Sequence, residues 1–189
     1  IMRMTHHTIV ALVENKPGVL NKIASKWRQR GFNIESLTVG HSEVPGLSRM
    51  TFTVDGANTD VVQVTKQLFK VVEVVEIHDI TAESTVSREF AMLKVNCTAA
   101  QRSEIRDIAD IFRAKIVDVA VDTVILETTG TEDKIDSIIE ILRPYGFKEL
   151  VRTGKVAMLR GTKVAEEAPA PDNIREYRPA PHRAYAGGD

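Results

Sequence analysis

The stretch Glu14-Asn15-Lys16-Pro17-Gly18-Val19-Leu20 has the residue types and spacing to do chemistry, and that chemistry is anion binding. Pro17 suits the first turn of a helix, where its missing N–H would have had no partner. Gly18 leaves the helix N-terminus without a side-chain wall. Free backbone N–H groups and the positive end of the helix dipole favour a small anion there, such as a carboxylate. A second polar group follows in Gly31-Phe32-Asn33-Ile34, where Asn33 is expected to start a strand close to the end of the first one. A small amino acid would set its carboxylate on the N–H groups of Gly18, Val19 and Leu20. Its ammonium would seek oxygens, with Asn15 and Asn33 as candidates. Val19, Leu20 and Ile34 are the nearest apolar residues. The residues alone specify a ligand that is small, anionic at one end and apolar at the other. Taken alone, the turn fits an ordinary strand-to-helix connection equally well.

The remaining candidates for chemistry are weak. Adjacent His6 and His7 at the start of a strand point to opposite faces and make poor joint metal ligands. His41, His78 and His182 stand far apart, and His78 is expected on the wetter face of its strand. No Gly-rich phosphate loop, Cys pair or His-Glu helix motif occurs. The single Cys97 lies in a strand-like run and reads as a core thiol, with nothing near it in sequence to lower its pKa. Glu73, Glu76, Asp79 and Glu83 read as a solvated strand edge that guards against edge pairing. Lys26, Lys66 and Lys70 read as exposed helix faces. No catalytic or metal-binding constellation emerges, so catalysis by this chain is not expected.

The elements that must position the turn follow from periodicity. Thr8 to Val13 is an apolar run that reads as a buried strand. Val19, Leu20, Ile23, Ala24 and Trp27 fall on one helical face, and Gly31 is a plausible C-cap. Phe32 to Val39 reads as a second strand. Ser48 to Val54 alternates, with Met50, Phe52 and Val54 on one face. Asn58 can cap a helix that aligns Val61, Val64, Leu68 and Val72, and Val74 to Ile80 reads as a fourth strand. The order is βαββαβ, the ferredoxin-like arrangement. It then repeats: a strand from Glu89 to Cys97, a capping box at Thr98-Ala99-Ala100-Gln101 and a helix burying Ile105, Ile108, Ala109 and Phe112. A hairpin of Lys115–Val121 and Thr123–Thr129 follows, then a second capping-box pattern at Thr129-Gly130-Thr131-Glu132. Its helix carries Ile135, Ile138, Ile139 and Leu142, and a last strand from Phe147 to Leu159 breaks near Gly154. Thr81 to Arg88 joins the two units. The second lacks the Asn-x-x-Gly turn and is not expected to hold the same ligand. From Lys163 onward Pro, Ala and charged residues predict a flexible tail that cannot bury enough apolar area to order itself.

Glu14-Asn15-x-x-Gly18-x-Leu20, then Arg30-Gly31-Phe32-Asn33-Ile34-Glu35-Ser36-Leu37-Thr38-Val39, resemble the ligand loop of an ACT domain, the amino-acid-sensing module of many metabolic enzymes. With Leu47-Ser48-Arg49-Met50-Thr51 the wording is similar to the small regulatory subunits of acetohydroxyacid synthase (acetolactate synthase). The similarity continues from Val86 to Gly161, most strongly at Ile111-Phe112-Arg113-Ala114-Lys115-Ile116-Val117-Asp118-Val119. The resemblance implies an α+β chain with an ACT domain at residues 5–82, an ACT-like ferredoxin-like domain at 86–161 and a flexible tail at 163–189. It implies a non-catalytic subunit that raises the activity of a catalytic large subunit and confers feedback inhibition by valine, in branched-chain amino-acid synthesis. Thiamine diphosphate, Mg²⁺ and any FAD would belong to that partner. The effector site would comprise Asn15, Gly18, Val19, Leu20, Asn33 and Ile34. The alternative is a stand-alone amino-acid sensor built from paired ACT-like domains, and a homodimer through the first unit is expected in either case.

Composition is consistent with this. Hydrophobic residues make up 43% and charged residues 27% of 189, as in globular chains. A formal net charge of −1 provides no basic field for nucleic acid or anionic lipid. No apolar run approaches the ~20 residues that span a bilayer. Ile1-Met2-Arg3-Met4 carries no h-region of a signal peptide, and a lone cysteine fits a cytoplasmic protein.

Overall fold

The computed structural model describes residues 6–55 and 58–161. The tail expected to be flexible, with His182, lies outside them, and so does the side chain of Asn58. Among the described residues the chain forms two compact units, residues 6–84 with 159–161 and residues Thr85–Met158.

In the first unit β1 (His6–Glu14), α1 (Val19–Gln29), β2 (Asn33–His41), β3 (Leu47–Asp55), α2 (Asn58–Phe69) and β4 (Val74–Asp79) follow in sequence. The antiparallel ladder has the order β2-β3-β1-β4. Alternation decides its faces: Ile9, Ala11 and Val13 of β1 and Met50, Phe52 and Val54 of β3 meet Val19, Ile23 and Trp27 of α1 and Val61, Val64 and Leu68 of α2 in one core. Trp27 and Phe52 are fully buried, and side chains of this size each stabilise the core by about 1.5–3 kcal/mol. Leu20 and Val72, expected on the core faces of their helices, stand outside the core. Leu20 is 43% exposed at the start of α1, and Val72 follows the end of α2. Alpha1 ends through a left-handed glycine. Gly31, at φ 75°, donates to the Arg28 carbonyl (3.0 Å) and Phe32 to the Trp27 carbonyl (3.2 Å). This is a Schellman motif with its apolar clasp, the Phe32 ring standing edge-on to Trp27 at 5.5 Å.

The expectation that Glu73, Glu76 and Asp79 are merely solvated is corrected. Glu73 is bonded to Lys22, and Asp79 accepts from buried His7 (Nδ1 to Oδ2, 2.8 Å). His78 does lie on the wetter face of β4, opposite Val10 and away from the helices, but its side chain is only 13% exposed. The sheet face turned from the helices is itself shielded, with Val10, Thr51 and Thr53 all buried.

The second unit repeats the order: β5 (Thr85–Asn96), α3 (Arg102–Phe112), β6 (Lys115–Val119), β7 (Thr123–Gly130), α4 (Glu132–Leu142), β8 (Phe147–Arg152) and β9 (Val156–Leu159). Its sheet runs β6-β7-β5-β8, and β9 also pairs with β5. The segment before Glu89, read as linker, is therefore drawn into β5, and the single last strand becomes two, parted at Gly154 (φ 82°). Leu93, Val95, Leu126, Ile105, Ile135, Ile138 and Leu142 form its core, and Cys97 is buried beside them. The expected capping box at Thr129 is not formed. Thr131 is the N-cap residue, without a side-chain cap, and Lys134 reaches back to the Thr129 carbonyl instead.

Both sheets lose register at matching places. Glu35 is skipped between β2 and β3, and Val117 between β6 and β7. The ladder also shifts at Val13 of β1 against β4 and at Val95 of β5 against β8. Such bulges bend a strand and increase its twist.

Candidate functional site at the first strand-to-helix turn

Beta1 ends at Glu14, and the turn after it is fixed by backbone bonds on both sides. Glu14 N–H donates to the Glu73 carbonyl before β4, and Asn15 N–H to the Gly46 carbonyl before β3, both at 2.8 Å. Gly18 is the N-cap residue of α1, at φ 85° and ψ −9°. A Cβ there would meet nothing within 4 Å, so the left-handed backbone selects glycine and crowding does not. Pro17 therefore lies in the turn ahead of the helix and not in its first turn. No side chain caps α1, and its first turn carries no acidic residue. The N–H groups of Leu20 and Asn21 have no acceptor within the helix. The Val19 N–H makes a long bond, 3.4 Å, to the Lys16 carbonyl.

The corresponding helix start in the second unit differs. A capping box precedes α3, the Gln101 side chain accepting from the Thr98 N–H at 3.0 Å, and Glu104 stands in the first turn of α3, where its charge would oppose an incoming anion.

Charge around the turn is paired. Lys16 bonds Glu14 at 2.5 Å, and that hydrogen bond holds the Lys16 ammonium above its ordinary pKa. The Lys22 hydrogen bond holds the Glu73 carboxyl below its ordinary value. Beyond Lys22 an open groove of about 510 Å³ runs between α1 and α2, lined by Asn21, Ser25, Lys26, Gln67 and Lys70 among others. Lys26 and Lys70, read from sequence as plain helix faces, sit on its walls.

The six expected site residues do not all come together within one chain. Asn15, Gly18, Val19 and Leu20 share the turn, with Asn15 and Leu20 exposed, while the Val19 side chain is committed to the core at 3% exposure. Asn33 and Ile34 lie at the opposite end of the sheet. Asn33 pairs with Asp55, which pairs with His6 at the start of β1, whereas Glu14 at the other end pairs with Leu47. Eight residue steps separate the two rows, about 26 Å at ~3.3 Å per residue. Beta1 and β2 run parallel with β3 between them, so the start of β2 cannot lie by the end of β1. Ile34 pairs with Val54 and packs on the core. The C-terminal end of β2 is what flanks the turn in this chain, since His41 pairs with Ser48 and Ser48 with Val13. Gly46, which anchors Asn15 through its carbonyl, carries no signal in the sequence that ties it to this turn.

The described residues contain no group of three His, Cys, Asp or Glu side chains that could hold a metal. No helix among them is long and apolar enough to cross a membrane.

Two βαββαβ units with an open helix N-terminus in the first define an ACT-type chain of the ferredoxin-like class. Comparison with known proteins gives the family. Residues 9–76 match the acetohydroxyacid synthase small-subunit-like ACT domain, and residues 88–161 the small subunit of acetolactate synthase. A probable acetolactate synthase small subunit of Archaeoglobus fulgidus is 54% identical over 157 residues, covering 83% of this chain and 98% of that one. The acetolactate synthase small subunit of Bacillus subtilis is 48% identical, covering 82% and 91%. The crystal structure of the Thermotoga maritima small subunit superposes with a TM-score of 0.78 at 42% identity, covering 84% and 99%. The chain belongs to the family of acetolactate synthase small subunits.

Proposed function

We propose that this chain is the regulatory subunit of an acetolactate synthase: it activates a catalytic large subunit and makes that subunit sensitive to feedback inhibition by valine. The observation that carries the reading is the helix start at Gly18, uncapped, free of acidic residues and opened by a left-handed glycine. It suits the carboxylate of a free amino acid. The large subunit, with its thiamine diphosphate, Mg²⁺ and any FAD, supplies the condensation chemistry, and this chain supplies none.

A second copy completes the site. Beta2 is an edge strand. Antiparallel pairing of two β2 edges about Leu37 sets the partner copy's strand start against this chain's His41 end, which is the end that holds Gly18. Asn33 then serves the turn of the other copy. Its amide and the Asn15 side chain meet the ligand ammonium, and Leu20 offers apolar contact. The site is therefore a property of the dimer.

Two measurements test this. Calorimetric titration of the purified chain with valine, leucine and isoleucine should show saturable binding, strongest for valine. Reconstitution with the large subunit should show activation, reversed by millimolar valine. Binding of valine without any effect on a large subunit would favour a stand-alone amino-acid sensor instead. Absence of binding would remove the site.

A further inference from the structure

Beta6 is an edge strand in which all five residues are exposed, although three of them, Ile116, Val117 and Val119, are aliphatic. Among the described residues no strand pairs with its outer side. Ile111 of α3, the helix that packs on β6, adds a 77% exposed side chain close by. An edge of this composition is a template for pairing.

The faces of β6 show what would pair with it. Lys115 and Asp118 stand opposite Glu127 and Ile125, whereas Ile116 and Val119 stand opposite the buried Leu126 and Val124. The skipped Val117 is what puts Lys115 and Asp118, three apart, on the same outer face. Neither forms an ion pair within the chain among the described residues. The edge thus shows one free cation and one free anion on its outer face, and aliphatic side chains on its helix face.

We infer that β6 pairs antiparallel with β6 of a second copy, about a two-fold axis perpendicular to the sheet between Ile116 and Val117. Such an axis keeps the faces in register and makes the interface isologous. Each Lys115 falls opposite the partner's Asp118, so both charges are neutralised twice by one operation. Ile116 and Val117 meet across the axis, and each Val119 lies over the partner's Ala114. The charge pattern is self-complementary in this one register. A two-fold centred on Asp118 would oppose like charges, which cross-strand pairing disfavours. This contact belongs to the second unit and is independent of the β2 edge and of the effector reading.

The test co-expresses two full-length chains, one carrying Lys115→Cys and the other Asp118→Cys, with different affinity tags. Mild oxidation should give a disulfide-linked heterodimer, with the bridge between positions 115 and 118 found by peptide mapping. Each variant expressed alone should cross-link at least tenfold less, since native Cys97 is buried. A Glu149→Cys chain, altered on the opposite edge strand β8, paired with Asp118→Cys should also fail to cross-link. Absence of the heterodimer bridge would overturn the proposal. Thiol labelling of the Lys115→Cys chain gives a second reading, and protection in the full-length chain alone is expected. Protection that appears only with added large subunit would assign the edge to that subunit. Protection lost on removing residues 162–189 would assign it to the chain's own tail. Either result overturns the proposal.

Discussion

Gly18 separates stability from binding, because backbone and charge act there in opposite directions. Its φ of 85° is left-handed, and a Cβ meets no neighbour within 4 Å. Gly18→Ala therefore costs only the conformational penalty of an L-residue, about 1–2 kcal/mol. A domain of this size would lose roughly 4–8 °C of thermal midpoint per kcal/mol. Gly18→Asp incurs the same kind of penalty in reduced form, since aspartate visits the left-handed region more readily. Its carboxylate also gains about 0.3–1 kcal/mol from the helix N-terminus, where no other acid competes. So the Asp variant should melt above the Ala variant. Binding should rank the other way. A fixed carboxylate within ~4 Å of the ligand carboxylate is repelled by up to about 4 kcal/mol at an effective dielectric constant near 20. The Ala variant, with open space around its methyl, should keep its affinity for valine within about fivefold. The Asp variant should lose more than a hundredfold. Thermal denaturation and calorimetric titration of the two variants side by side decide it. Near-wild-type valine affinity in the Asp variant, or a higher midpoint for Ala than for Asp, would refute the reasoning.

Three further outcomes are expected. Asn33→Ala should weaken valine binding by about 1–3 kcal/mol through the lost amide contacts while leaving the thermal midpoint unchanged, because Asn33 is exposed at a strand start; an unaltered titration would remove Asn33 from the site. Arg152 holds the buried Glu89 by two bonds of 2.7 and 2.8 Å and reaches Asp136 as well, so Arg152→Ala strands a buried carboxylate and should destabilise the second unit by about 3–5 kcal/mol in denaturant titration. Glu73 has its carboxyl pKa lowered, first by the Lys22 hydrogen bond. Its stabilising contribution is present above the ordinary carboxyl range and lost as pH falls through the lowered value, so Glu73→Gln should melt earlier than wild type at pH 7 and the gap should narrow steadily as the solution is acidified below that range; a gap that does not narrow on acidification would rule out the linkage.

The element order and both cores were legible because β1 is a continuous apolar run, β3 alternates cleanly and the buried helix stripes keep the helical period. Leu20 and Val72 were misplaced because periodicity cannot see where a helix begins or ends. Leu20 lies in the first turn, on the side away from the sheet, and Val72 lies past the last turn. The Gly18 turn was legible from residue type, since a glycine between strand and helix has few other reasons to be there. The placement of Asn33 was not. Whether the start of β2 faces the end or the start of β1 depends on the strand inserted between them, and residue pattern gives the order of strands along the chain but not their order in the sheet. The shielding of His7 and His78 was hidden for a related reason: a strand pattern gives opposite faces but does not show that both faces are covered.

The paired bulges let the two units be read against each other position by position. Glu35 and Val117, the residues skipped in β2 and β6, are 82 residues apart, whereas Val75 and Lys148, skipped in β4 and β8, are 73 apart. Between these two landmarks the second unit is therefore nine residues shorter. A position in one unit finds its counterpart in the other at an offset of 82 up to the first landmark and of 73 at the second, so a substitution can be transferred between the units without relying on side-chain identity.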